Sequence, residues 1–189
     1  MDLPGYKDRA HAGHVLAELL KPRIDSDSII LAIPNGGVAV AVPIAKELML
    51  PLSLLIVRKI QIPWNTEAGF GAVGSDGSVL LNDPLVRQLG LTEDQVRTQT
   101  EKALHSVRER LRVYGPDAAP PDLKGRTVIL VDDGLASGVT MNTALRLVER
   151  RQPDKTIVAV PTCSRSAYHR IEPLTDEETR KLLDTLKPS

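Results

Sequence analysis

The sequence predicts an α/β domain built on a mostly parallel central sheet flanked by helices, and three observations carry that reading. Apolar, largely β-branched runs at 28–33, 52–57, 128–131 and 156–161 are too short for helices and suit strands buried on both faces. Segments with helical periodicity alternate with them. Each run also ends in small, polar or charged residues, and ligands of open parallel sheets bind at the carboxyl ends of the strands.

Taken in order, residues 6–22 place Ala10, His14 or Val15, Leu16, Leu19 and Leu20 on one helical face, which Pro22 closes. His11 and His14 lie three apart, but no further metal ligand is near, so a surface or packing role is expected. The strand at 28–33 runs into Pro34, Asn35, Gly36 and Gly37 ahead of an apolar helix at 38–50, and the two glycines allow close backbone approach to a ligand. The strand at 52–57 ends in Arg58 and Lys59, which are either snorkelling surface cations or anion ligands.

Residues 60–77 are rich in Pro, Asn, Gly and Ser and read as a lid extending to about 82. Trp64, Glu67 and Phe70 lie in it, with Gly69, Gly71, Gly74 and Gly77 as hinges. Residues 69–73 and 78–82 are expected to pair as a hairpin. Glu67 is a candidate base toward an incoming nucleophile, or an acid that positions the loop. Thr92 to Gln95 form a capping box for a long helix reaching Tyr114, with an apolar stripe at Val96, Ala103, Leu104, Val107, Leu111 and Tyr114. A stiff loop with three prolines spans 115–124.

The stretch from Val128 to Met141 is the centre of the chain. Its strand ends on two adjacent carboxylates, Asp132 and Asp133, and then turns through Gly134, Ala136, Ser137 and Gly138 to Thr140 and a helix at 141–151. Strand, small-residue loop and helix start make a phosphate cradle, because unsatisfied N–H groups and the helix dipole both favour an anion. The acids can accept hydrogen bonds from paired sugar hydroxyls or help hold a divalent metal. A ribose 5-phosphate meets both demands. A phosphotransfer receiver domain also places acids at strand ends, but residues 137–140 suit a phosphate ligand better than a phosphorylated Asp.

These residues resemble the phosphoribosyl-pyrophosphate (PRPP) loop of the type I phosphoribosyltransferases, and in particular members of undefined acceptor. The resemblance implies that Asp132 and Asp133 contact the ribose, that Gly134, Ala136, Ser137, Gly138, Val139 and Thr140 surround the 5′-phosphate, and that Asn35, Gly36 and Gly37 form the pyrophosphate loop. Relatives usually carry Arg where this chain has Asn35. The resemblance further implies that Arg58 and Lys59 open a loop closing over pyrophosphate, and that Mg²⁺ accompanies PRPP, with Asp132 and Asp133 able to hold it through water or PRPP. In enzymes of this family acting on 6-oxopurines an Asp occupies the position of Ala136, and the loop here is closer to that of adenine phosphoribosyltransferases. Tyr168 is a candidate stacking residue for the acceptor.

Expected, then, is transfer of the 5-phosphoribosyl group to a nucleobase or other nitrogen nucleophile with release of pyrophosphate. The alternative is a non-catalytic sensor of PRPP or a nucleotide on the same fold, a reading that Asn35 and a doubtful hood both suit. The hood, which recognises the nucleophile in the resembled family, should follow the helix beginning at Ser164. Instead the chain passes to a capping box at Thr175 to Glu178 and a helix to Leu186. Residues 170–175 are therefore read as a deletion or, preferably, a gap in the chain.

Composition bounds these readings. The 189 residues, 42% hydrophobic and 25% charged, suit one globular domain with a real core. Lys+Arg and Asp+Glu balance at 24 each, so nucleic acid is not the expected partner, although Arg108, Arg110 and Arg112 suggest a small basic face on the long helix. The single Cys163 excludes an internal disulfide and is expected to be a core thiol. No apolar run approaches the ~20 residues of a membrane span, so a cytoplasmic protein is expected, and a homodimer is compatible with the resemblance.

Overall fold

A computed structural model of the chain describes residues 5–115, 118–136 and 138–171. The first half runs α1 (Arg9–Leu20), β1 (Ile29–Ala32), α2 (Gly36–Leu48), β2 (Leu52–Leu54), β3 (Val57–Ile62), β4 (Asn65–Gly74) and β5 (Val79–Leu81). The second runs α3 (Asp83–Gln88), α4 (Glu93–Tyr114), β6 (Thr127–Val131), α5 (Val139–Glu149), β7 (Lys155–Ala159) and α6 (Arg165–Ile171).

The expected sheet is present: β2, β1, β6 and β7 lie side by side in that order, all parallel. Every residue of β1 and β6 is buried, as strands covered by helices on both faces require. From β1 the chain moves outward to β2, and from β6 it moves outward the other way to β7. The order therefore reverses between β1 and β6, where the loops leaving two neighbouring strands part and open a crevice. Ile33 N–H still donates to Val131 O at 2.8 Å, so the two strands stay joined to their last residues.

The segment read as a lid is a second, antiparallel sheet in the order β3, β4, β5. Its hairpin pairs Gly71 with Leu81 and Val73 with Val79, within the expected segments. Phe70, Ile60 and Val73 are buried with Ala103 and Val107 of α4, so this sheet has its own apolar core. Two expectations need correction. Residues 52–57 are not one strand ending at Arg58; β2 stops at Leu54, and Arg58 and Lys59 lie inside β3. The break has a cause: Ser75 Oγ donates to Leu54 O and accepts from Ile56 N–H, both at 2.9 Å, replacing a strand partner.

Gly71 and Gly74, two of the four lid glycines, are likewise set by packing rather than as hinges. A Cβ on Gly71 would lie 2.5 Å from Leu80 O, and one on Gly74 2.3 Å from Asp76 Oδ1, so they permit close packing of ordered strands.

The capping box of α4 forms as expected, with Thr92 N–H donating to Gln95 Oε1 at 2.9 Å and Gln95 N–H to Thr92 Oγ1 at 3.2 Å. The proposed basic face does not form. At about 100° per residue, Arg110 points away from Arg108 and Arg112; it bonds Asn35, while Arg112 pairs with Glu109. Cys163 is buried in the main core and burial pushes its thiol upward, as a core role requires. No helix among the described residues is long and apolar enough to cross a membrane. The readings at 172–189, including the capping box at Thr175 and most of the proposed gap, lie outside the described residues.

Candidate functional site

The crevice between β1 and β6 is built by two loops in close contact. After β1 the chain passes a cis Pro34–Asn35 peptide and enters α2 at Gly36, two residues earlier than the apolar pattern suggested. An added Cβ on Gly37 would lie 2.5 Å from Val131 O and 2.9 Å from Asp132 Cα, while one on Gly36 would overlap the Asp133 carboxylate. The two glycines thus let the start of α2 press against the acid pair. Gly37 N–H donates to Ile33 O at 3.1 Å, so this amide serves the helix and Gly37 acts through its missing side chain.

The two acids differ in environment. Asp133 receives both Nε and Nη2 of Arg9, at 2.9 and 2.7 Å, on one carboxylate oxygen. Asp132 has no such partner among the described residues. Burial pushes its carboxyl up to about 7, the Asp133 N–H bonded to its Oδ1 at 2.8 Å opposes the rise, and the Asp133 charge adds to it. The folded value lies above the ordinary one, so stability from the protonated form is full below about pH 4 and is lost as pH rises through about 7. Asp132→Asn is therefore expected to leave the thermal midpoint unchanged near pH 4 and raise it at pH 8. After discounting for solvent reaching the carboxylate, the gain is ~1–2 kcal/mol, or a few degrees. Melting both proteins across this range checks it, and a gap independent of pH would refute it.

Beyond the acids, the loop is held by the segment after β7. Leu135 N–H donates to Thr162 O and Ser164 N–H to Leu135 O, each at 2.9 Å, and Ser164 Oγ donates to Ala136 O at 2.6 Å. The parallel pairing of β6 and β7 thereby continues into the loop. Gly138, at φ +70°, turns the chain into α5 while lying against Ala167, and the helix start has no side-chain cap. Val139 and Thr140 are at this first turn, where N–H groups favour an anion, and Val139 is 51% exposed. Ser137 lies outside the described residues.

Lys59, Glu67, Val139 and Thr140 come together around a cavity of ≈ 880 Å³ between α5 and the face of β4 and β5. Lys59 Nζ donates to Glu67 O. Arg58 does not line this cavity. It borders one of ≈ 350 Å³ with Gln99, Lys102 and Ser106 of α4, and its buried Nε has no hydrogen-bond partner among the described residues. Lys59 borders both cavities, whereas Arg58 borders only the one beside α4. The contacts of Arg9, Thr162, Ser164 and Arg110 with the site loops escaped the sequence reading, because each acts on a residue 27 or more positions away and leaves no local pattern.

The residues present suit a magnesium ion carried largely by substrate. Among the described residues no group of three or more His, Cys, Asp or Glu side chains could hold a metal alone. Mg²⁺ is commonly bound through one or two carboxylates plus phosphates, and Asp132 and Asp133 supply two carboxylates beside the anion loop.

A crevice at the strand-order reversal, two acids on one lip and a helix start beyond them make up the candidate site on this α/β fold. The model of the phosphoribosyl transferase domain family matches residues 6–176, and the chain belongs to that family. It is 37% identical over 158 residues to a Mycobacterium tuberculosis H37Rv protein provisionally named phosphoribosyl transferase Rv0571c. That match covers 82% of this chain but 35% of the relative, so the chain spans about a third of the length of the curated relatives it matches. The crystal structure of TT1426 from Thermus thermophilus superposes with a TM-score of 0.78 at 34% identity, covering 90% of this chain and 81% of that one. The AQ2163 protein from Aquifex aeolicus, at 13% identity and TM-score 0.52, covers 87% of this chain and 66% of that one and shares the fold.

Proposed function

We propose that the chain binds PRPP with Mg²⁺ and transfers its 5-phosphoribosyl group to a nitrogen nucleophile, a nucleobase being the expected class, with release of pyrophosphate. The observation that carries this reading is the acid pair at the end of β6, set against Gly36 on one side and running into the start of α5 on the other.

In the reaction the bond between C1 of the ribose and the pyrophosphate oxygen breaks as a bond from the acceptor nitrogen to C1 forms. Positive charge develops on the sugar while negative charge gathers on the leaving group. Asp132 and Asp133 orient the ribose by accepting its hydroxyl hydrogens, and their charge favours a cationic ring. For Asp132 this requires the ionised form, so hydroxyl donors arriving at the site draw its proton off. The first turn of α5 holds the 5′-phosphate. Mg²⁺ when bound neutralises phosphate charge and polarises the leaving group. Lys59, on the same cavity as Thr140, supplies a positive charge to this region, and Glu67, which also lines it, takes the acceptor's proton. Arg58 is reserved for the adjoining space beside α4.

Calorimetric titration of PRPP with Mg²⁺ into the wild-type protein is expected to give binding in the micromolar range. A pyrophosphate-release assay across nucleobases should then identify an acceptor. Absence of binding by a folded protein would sink the proposal. Binding without turnover on any acceptor would instead support a PRPP sensor.

A further inference from the structure

The long helix α4 reads as a packing element, amphipathic and fastened to the antiparallel sheet through Ala103 and Val107. Its C-terminal end does something that packing does not need. Arg110 Nη2 donates to Asn35 Oδ1 at 2.8 Å, and Tyr114 Oη donates to the same oxygen at 2.9 Å. Spaced i, i+4, the two side chains share one helix face and converge on a single acceptor.

Two other arginines of this helix are neutralised locally, Arg97 by Asp94 at 2.7 Å and Arg112 by Glu109 at 2.5 Å, while Arg108 has no ion pair and no hydrogen bond to the loop after β1 among the described residues. Arg110 reaches that loop. Its partner is a neutral amide oxygen, and among the described residues no carboxylate pairs with it. The residue is half-buried, which limits its escape into bulk water without cancelling its charge. Its position matters as much as its charge. Asn35 immediately precedes Gly36, whose backbone lies against the Asp133 carboxylate. One loop is therefore flanked by a carboxylate on one side and an uncompensated guanidinium on the other.

That polarity matches a donor whose sugar becomes positive while its leaving group becomes negative. We infer that Arg110, tethered by Asn35, is a substrate-binding residue contributed by α4 that grips the diphosphate leaving group, with Tyr114 as the second tether. The inference rests on the PRPP reading of the site and extends it to a residue outside the strand-end loops. A guanidinium suits this task because its planar fork can bond phosphate oxygens in pairs.

The test is calorimetry on the full chain with Mg²⁺ and three probes, PRPP, pyrophosphate and ribose 5-phosphate, alongside thermal melting. Arg110→Gln keeps a donor for Asn35 and removes the charge. It should weaken pyrophosphate and PRPP by about tenfold or more while leaving ribose 5-phosphate and the melting temperature unchanged. Arg110→Lys should recover part of the loss. Tyr114→Phe removes one tether and no charge, and should stay within about threefold of wild type, about the worth of half a neutral hydrogen bond. Unchanged pyrophosphate affinity in Arg110→Gln would overturn the inference. So would equal weakening of all three probes with a lowered melting temperature, since that reports only a structural brace. If wild type binds neither PRPP nor pyrophosphate, the functional reading itself fails and this inference falls with it. Wild-type binding with an indifferent Arg110 defeats the inference alone.

Discussion

Replacing Asp132 and Asp133 together with asparagine is expected to cut the affinity for PRPP by at least ~100-fold. Each carboxylate bonded to a sugar hydroxyl contributes a charge-assisted hydrogen bond of ~1.5–3 kcal/mol, and every ~1.4 kcal/mol is a factor of ten in binding. Asparagine keeps the size and one oxygen of each side chain, so packing at the end of β6 survives. Folding should survive too. Asp133 gives up an ion pair with Arg9 whose side chains are 37% and 29% exposed, a loss below ~1 kcal/mol. Asp132 gives up a charge that its burial disfavours. Calorimetry and a melting curve on the same sample separate binding from folding, and affinity within tenfold of wild type would remove the acid pair from the site.

Gly37→Ala carries the largest expected structural penalty at the site. Its methyl would meet Val131 O at 2.5 Å and Asp132 Cα at 2.9 Å, both backbone atoms that cannot rotate aside. Relief requires the start of α2 to move away from the end of β6, at ~3 kcal/mol or more and ~6–12 °C in melting temperature. Gly36→Ala is the informative contrast. Its methyl meets the Asp133 carboxylate, which can turn away by giving up Arg9. That variant should melt within ~3 °C of wild type, yet bind PRPP ~10-fold or more weakly, the worth of one charge-assisted hydrogen bond. Equal melting of wild type and Gly37→Ala would contradict the contact described between the loops.

The reach of sequence reasoning follows the range of the interactions involved. The capping box at Thr92 and Gln95, the pairing of residues 71–73 with 79–81 and the turn into α5 at Gly138 are local, and their signals sit within a few residues. Apolar runs identified the parallel strands because complete burial leaves an uninterrupted signature. The boundary between β2 and β3 was invisible because Ser75, some twenty residues further on, cuts the strand with its hydroxyl. Arg58 and Lys59 were consequently placed together at a strand end, whereas both lie within β3 and only Lys59 reaches the larger cavity. Arg9 reaches Asp133 across 124 residues and Arg110 reaches Asn35 across 75. Both arginines read as ordinary helix-surface charges until the chain is folded.

The fastening of the antiparallel sheet has a mechanical consequence. Its turn after β4 is bolted to the main body, with Ser75 on Leu54 and Ile56, Arg151 Nη1 on Asp76 O at 3.0 Å and Arg150 Nη1 on Val79 O at 2.6 Å. The opposite turn, before β4, carries Trp64 with 62% of its surface exposed. A ten-residue strand is a lever ~30 Å long, so any swing of this sheet pivots at Ser75 and has its greatest throw at Trp64. The single tryptophan of the chain thus stands at the end of the longest arm, where its fluorescence would register displacement directly.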